Sequence, residues 1–224
     1  VTLDRGCLGA RVGKLPRAWG GYFILLGLGF MFVEIFLLQK GSLYLEHPTR
    51  SLVAVLFSML TAAALGSLWT HRVTHDPLPT RLRVYLSIAV VLVPLLAAGV
   101  DWMTQATMSL PLGIKMVLFV AMVSVVAFFL GTLFPSGIRL VSRNHDGCIP
   151  WVWALNGGAS VTGSILAMTI AMAFGYVQTL LIGCGCYLLA LWISFRLSGD
   201  RDPAATRAPL PSGSAGPAAQ LSSE

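Results

Sequence analysis

Six apolar blocks, each about 20 residues long and parted by short polar stretches, constrain this chain more than any other feature. An α-helix rises about 1.5 Å per residue, so about 20 residues cross the roughly 30 Å hydrocarbon layer of a bilayer. The blocks run over Trp19–Leu38, Ser51–Trp69, Val84–Val100, Ile114–Phe134, Trp151–Phe174 and Val177–Phe195. Composition agrees: 56% of the 224 residues are hydrophobic and 11% are charged, whereas a soluble domain carries about 25% charged residues. The expected fold is all-α, a polytopic membrane helix bundle of about six transmembrane spans.

Local signals refine the helix ends. Pro94 is expected to kink the third span, tolerated because neighbouring helices meet the carbonyl it frees. Pro135 and Gly137 are expected to stop the fourth. The turn at Gly175 and Tyr176 makes the last two spans an antiparallel hairpin. Three regions follow: a basic lead over residues 1–18, the transmembrane domain over 19–196, and a Ser, Ala, Pro and Gly-rich tail over 197–224, expected to be disordered. The lead is too polar to be the apolar region of a signal peptide, and the initial Val1 fits either a fragment or a non-standard start codon.

Charge sets the expected orientation. Arg5, Arg11, Lys14, Arg17, Arg72, Arg81, Arg83, Arg139, Arg143, Arg196, Arg201 and Arg207 fall on one side of six alternating spans, leaving Lys40, Arg50 and Lys115 on the other. By the positive-inside rule the rich side is cytoplasmic, with both termini on it. Trp19, Trp69, Trp102, Trp151 and Trp153 lie near block ends, where amphipathic rings favour the interface. The net charge of +6 is spread between apolar blocks and forms no basic patch with interleaved aromatics, so no nucleic-acid partner is expected.

Candidate sites are few. Glu34 is the one acid well inside a block, and an ionised carboxylate at mid-bilayer costs on the order of 3 kcal/mol. It reads as a proton or cation site, or as a hydrogen-bonding structural group near the outer interface. By depth, Ser58, Thr61 and Gln178 are its nearest candidate partners, and Asn156 is expected to be out of reach. In the fifth block Asn156, Ser160, Gly163 and Ala167 share one helical face, which suits close helix packing. The adjacent Gly157 and Gly158 leave a second reading open, an unwound solute-binding segment. The pairs Gly27 with Gly29 and Gly183 with Gly185 read as packing positions. Arg139 is expected just past the fourth span, as an interfacial anchor, a ligand for lipid phosphate or a partner for Asp146.

Cys184 and Cys186 lie two apart and so point to different helix faces, as packing residues. His71, His75 and Asp76 share a proline-containing loop, and no metal site is assigned. No nucleophile, base and orienting group come together in the sequence, so no catalytic residue and no cofactor is assigned.

Two segments carry a resemblance. LGLGFMFVEIFLLQKGSLYLEHPTRSLVAVLFSML, Leu26 to Leu60, resembles a helix pair near the C-terminal end of bacterial membrane-bound spermidine synthase-like proteins. GTLFPSGIRLVSRNHDGCIPWVWALNGGASVTGSILA, Gly131 to Ala167, is similar to that family's FP-G-R and N-G-x-x-S-V-x-G signatures. The resemblance implies a bacterial inner-membrane location and a polyamine aminopropyltransferase-like catalytic domain using decarboxylated S-adenosylmethionine. This chain has no stretch for that domain and no glycine-rich loop after a strand, so no catalytic residue carries over. The expected function is a membrane module, anchor or solute-handling partner of such a domain in the same or a neighbouring chain. The alternative is a small transporter or half-transporter, with Glu34 and the Asn156 face lining a path for a cationic or polar solute.

Overall fold

The computed structural model describes residues 16–72, 78–144 and 146–197. Six helices account for almost all of them: α1 (Arg17–Tyr44), α2 (Pro48–Arg72), α3 (Leu78–Thr107), α4 (Leu112–Asn144), α5 (Ile149–Phe174) and α6 (Tyr176–Leu197), with a 3-10 turn at Asp146–Cys148 before α5. All six are long and apolar enough to cross a membrane, and there is no strand among the described residues. The basic lead before residue 16, the loop holding His75 and Asp76, and the tail after residue 197 lie outside the described residues.

Helix α1 is central and packs against α2, α4, α5 and α6. Its Tyr22, Phe23, Phe36 and Tyr44 are fully buried. Glycines decide where backbones meet. At Gly66 of α2 an added Cβ would strike the Phe128 carbonyl of α4, and at Gly131 of α4 it would strike the Ala63 backbone. At Gly27 of α1 it would lie 2.5 Å from the Asn156 carbonyl oxygen, so α1 and α5 touch there. Gly29 abuts Tyr187 and Gly183 abuts Phe32, which joins α1 to α6. Three of the four glycines in the two pairs thus do pack, whereas Gly185 has nothing within 4 Å. Contacts of Gly21 with Ile193 and Gly183 with Phe32 make α1 and α6 antiparallel, so the two ends of the described chain share one end of the bundle.

The prolines behave differently from each other in expectation and alike in fact. Pro94 lies inside α3, as expected, and the carbonyl of Val90, four residues earlier, loses its helical donor. Cys184 of α6 supplies a thiol proton to that oxygen at 3.5 Å, while Cys186 packs beside Gly29 of α1. The two cysteines serve different helices, as their spacing requires.

Pro135 does not stop α4, contrary to expectation, and neither does Gly137: the helix continues to Asn144. The amide that Pro135 lacks would have met the Gly131 carbonyl. On either side of that gap Tyr22 Oη of α1 donates to the Leu133 carbonyl at 3.1 Å, and Ser136 Oγ of α4 itself donates to the Thr132 carbonyl at 2.6 Å. Gly137 leaves the space that the Tyr22 and Phe23 rings occupy. The α5–α6 turn forms as expected, on Gly175 with φ of 96°, a left-handed conformation that suits glycine.

The bundle end opposite the arginine-rich one carries paired charges. Lys40 meets Asp101 at 2.6 Å, Lys115 meets Glu46 at 2.9 Å, and the Tyr44 and Thr107 hydroxyls lie 2.6 Å apart. Two of the three basic residues at this end are therefore neutralised in pairs, which sharpens the charge asymmetry between the ends. Glu46 ends α1 at a φ of 60°, where glycine is the usual residue. The hydrogen bond from Lys115 and then its charge hold the Glu46 carboxyl below the ordinary carboxylate range. A depressed folded-state pKa stabilises the fold above the ordinary value and loses that contribution as pH falls through the lower one. The protection factors of the amides over residues 45–50, taken relative to intrinsic exchange at each pH, are accordingly expected to fall on acidification from pH 7 to pH 3. In Glu46→Gln they should already be low at pH 7; protection unchanged in that variant would dismiss the pair as the clasp.

Candidate functional site

Where α1, α2, α4, α5 and α6 meet around the Pro135 bend, they leave a cavity of about 360 Å³. Its deep wall is buried: Leu26 and Gly27 of α1, Leu130 and Leu133 of α4, and Tyr187 of α6. Its rim is half-buried: Phe30 and Met31 of α1, Ala63 and Ser67 of α2, Phe134 and Pro135 of α4, and Asn156 and Ser160 of α5. Glycines set how closely α5 approaches α1 beside the cavity. Gly27 admits the Asn156 backbone, and Gly163 sits against Leu28 and Met31, so α5 is held beside α1 while α2 stays on the far side of the opening.

The walls are apolar except for a few neutral groups. Ser160 Oγ donates to the Asn156 carbonyl at 2.9 Å, inside its own helix. The Asn156 carboxamide, the Ser67 hydroxyl and the Tyr187 hydroxyl have no hydrogen-bond partner among the described residues. Tyr187 is only 1% exposed as a whole residue, yet its hydroxyl oxygen is not among the fully buried polar atoms, so it opens on the cavity, where a ligand or water can meet it. No ionisable carboxylate or basic side chain lines this space.

The sequence-derived candidates divide three ways. Asn156 and Ser160 do come together, on the face with Gly163 and Ala167 that meets α1. Helix α5 is continuous through Gly157 and Gly158, which have nothing within 4 Å, so the unwound segment is corrected to a regular helix with those glycines facing outward.

Glu34 is half-buried and makes no hydrogen bond or ion pair among the described residues. Its expected partners are engaged or turned away: Ser58 donates to Ala54 and Val55 of its own helix, and Thr61 and Gln178 are exposed. Asn156 packs at Gly27, seven residues or about 10 Å along α1 from Glu34.

Arg139 stands in the part of α4 that runs on past the fourth apolar block and donates to the Thr70 carbonyl of α2 at 2.6 Å; the side chain of Asp146 lies outside the described residues. Among the described residues no group of three or more His, Cys, Asp and Glu could hold a metal ion, and His71 is the one described member of its loop trio. Tyr187 and Ser67 were missed by sequence reasoning. Tyr187 sits in a helix that is apolar all round, and only the three-dimensional arrangement brings it to the bend in α4.

No protein-family model, curated protein or solved structure matches this chain.

Proposed function

We propose that this chain is a membrane-embedded solute-handling module, which binds a largely apolar molecule with a hydrogen-bonding group between its helices. The observation that carries the reading is the cavity at the Pro135 bend, with the Asn156 carboxamide and the Tyr187 hydroxyl unmet within it. A site for a dissolved, multiply charged solute needs opposite charges in its wall, and this wall has none. A pure anchor needs no cavity.

On this reading the arginine-rich end, with both chain ends, faces the cytoplasm of a bacterial inner membrane. In a protein of the spermidine synthase-like type that the sequence resembles, the module would hold its solute beside a catalytic domain on that side.

A decanol bearing a mid-chain diazirine tests the site in the full chain reconstituted in lipid nanodiscs. Photolabelling should reach Phe30, Met31, Phe134 and Tyr187 in the cavity wall. Each lost hydrogen bond is worth about 1 kcal/mol, so Asn156→Leu or Tyr187→Phe should lower cavity labelling about 5-fold. Label confined to lipid-facing Val161, Ile165 and Met172 would rule the site out.

A further inference from the structure

We propose that Glu34 gives this cavity a charge preference, so that it takes an aliphatic cation carrying a single ammonium group. The proposal rests on the solute-handling reading of the cavity. At 3.6 residues per turn, Glu34 lies about 20° from Gly27 around α1, and its direction falls between those of Phe30 and Met31. All three of those residues line the cavity. Glu34 therefore continues the cavity-lining face of α1, one turn beyond Phe30.

Among the described residues none offers this carboxyl a counter-charge. Lys40, six residues further along α1, is bound to Asp101 at 2.6 Å. Helix α5 has no acidic or basic side chain from Ile149 to Phe174; α2 has none between Arg50 and His71, and α4 none between Lys115 and Arg139. On α6 only Tyr176, Cys184, Cys186 and Tyr187 precede Arg196, and none of them is basic. Lys115 at the far end of α4 is taken by Glu46. With no basic group among the described residues placed to meet it, Glu34 is open to a cationic ligand.

Bare metal ions fit poorly. Calcium and magnesium take about six oxygen ligands, and the nearest expected hydroxyl, that of Ser58, is spent on its own helix. An ammonium needs one carboxylate and a few acceptors. From Glu34 an alkyl chain can run over Phe30 and Met31 toward the Asn156 and Tyr187 end, about 10 Å away along α1. A second ammonium at that end would meet only neutral groups, which limits the ligand to one positive charge.

A matched pair of probes, decylamine and decanol with the same mid-chain diazirine, separates charge from shape. Both are applied to the full chain in nanodiscs, and cavity labelling is scaled to lipid-facing Val161 and Ile165. The amine should reach half-maximal cavity labelling at a concentration at least 10-fold below the alcohol. Glu34→Gln should bring the amine to the alcohol's level and leave the alcohol unchanged, which also shows that the variant folds. Equal labelling by the two probes in the native chain, or an amine preference that persists in Glu34→Gln, overturns the proposal. Should the variant disturb the alcohol as well, Glu34→Asp decides: retained preference supports the charge, and lost preference refutes it. Failure of both probes to label the cavity removes the solute-handling reading and this proposal with it. Alcohol labelling alone removes only the charge preference.

Discussion

Gly131→Leu is expected to unfold the α2–α4 half of the bundle, lowering stability by about 3 kcal/mol or more. Overpacking a core costs about 1–3 kcal/mol when side chains can shift, but here the obstacle is the Ala63 backbone, which cannot move without moving α2. Gly66 repeats the argument from the other helix, because its missing Cβ makes room for the Phe128 carbonyl. The measurement is unfolding by SDS in mixed micelles, followed by tryptophan fluorescence. Gly158→Ala supplies the control of opposite sign. Gly158 has open space around it inside a regular helix, so alanine should be neutral or stabilise by up to about 1 kcal/mol through helix propensity. Equal responses at Gly131 and Gly158 would refute the close α2–α4 crossing.

The contrast between those two glycines also marks what the sequence could convey. Six helices long and apolar enough to cross a membrane were legible because the thickness of a bilayer sets the length such apolar blocks need. Helix ends were less so: α3 runs from Leu78 to Thr107, well beyond the block from Val84 to Val100, and its extra turns carry Arg81, Arg83 and Asp101. Polar residues outside the hydrocarbon layer prolong a helix as readily as they end it.

Pro135 shows a local rule overruled from a distance. The missing amide argues for a stop, yet α4 runs on, with Tyr22, 111 residues earlier, packing its ring at Gly137 and donating its hydroxyl to the Leu133 carbonyl. No pattern within α4 encodes that. For the site, the spacing of Asn156, Ser160, Gly163 and Ala167 disclosed the α5 face that meets α1, because a helical period is a local property. The cavity beyond that face depends on where α2 and α6 lie, and neither helix signals its partners by periodicity. Gly157 and Gly158 were ambiguous for the same reason: paired glycines weaken a helix, but whether they face a neighbour or lipid is decided by packing.

Arg139→Ala is expected to cost about 1.5–3 kcal/mol, the value of a hydrogen bond from a charged donor. Thr70 is in the last turn of α2, where carbonyls have no helical donor and carry the negative end of the helix dipole. Thr70 is buried, and its own hydroxyl is committed to Gly66, so nothing nearby replaces the guanidinium. Arg139→Lys keeps the charge but loses the planar, extended donor, and should recover only part of the loss. The two roles open to this residue differ in their dependence on lipid. An arginine that mainly binds lipid phosphate would stabilise the chain only where anionic headgroups are present. One that caps α2 stabilises it equally in neutral detergent, because its partner is Thr70. Unfolding of the native chain and Arg139→Ala in dodecyl maltoside, with and without added phosphatidylglycerol, separates them: a deficit of the same size in both supports the cap, and a deficit seen only with the anionic lipid assigns Arg139 to the headgroups.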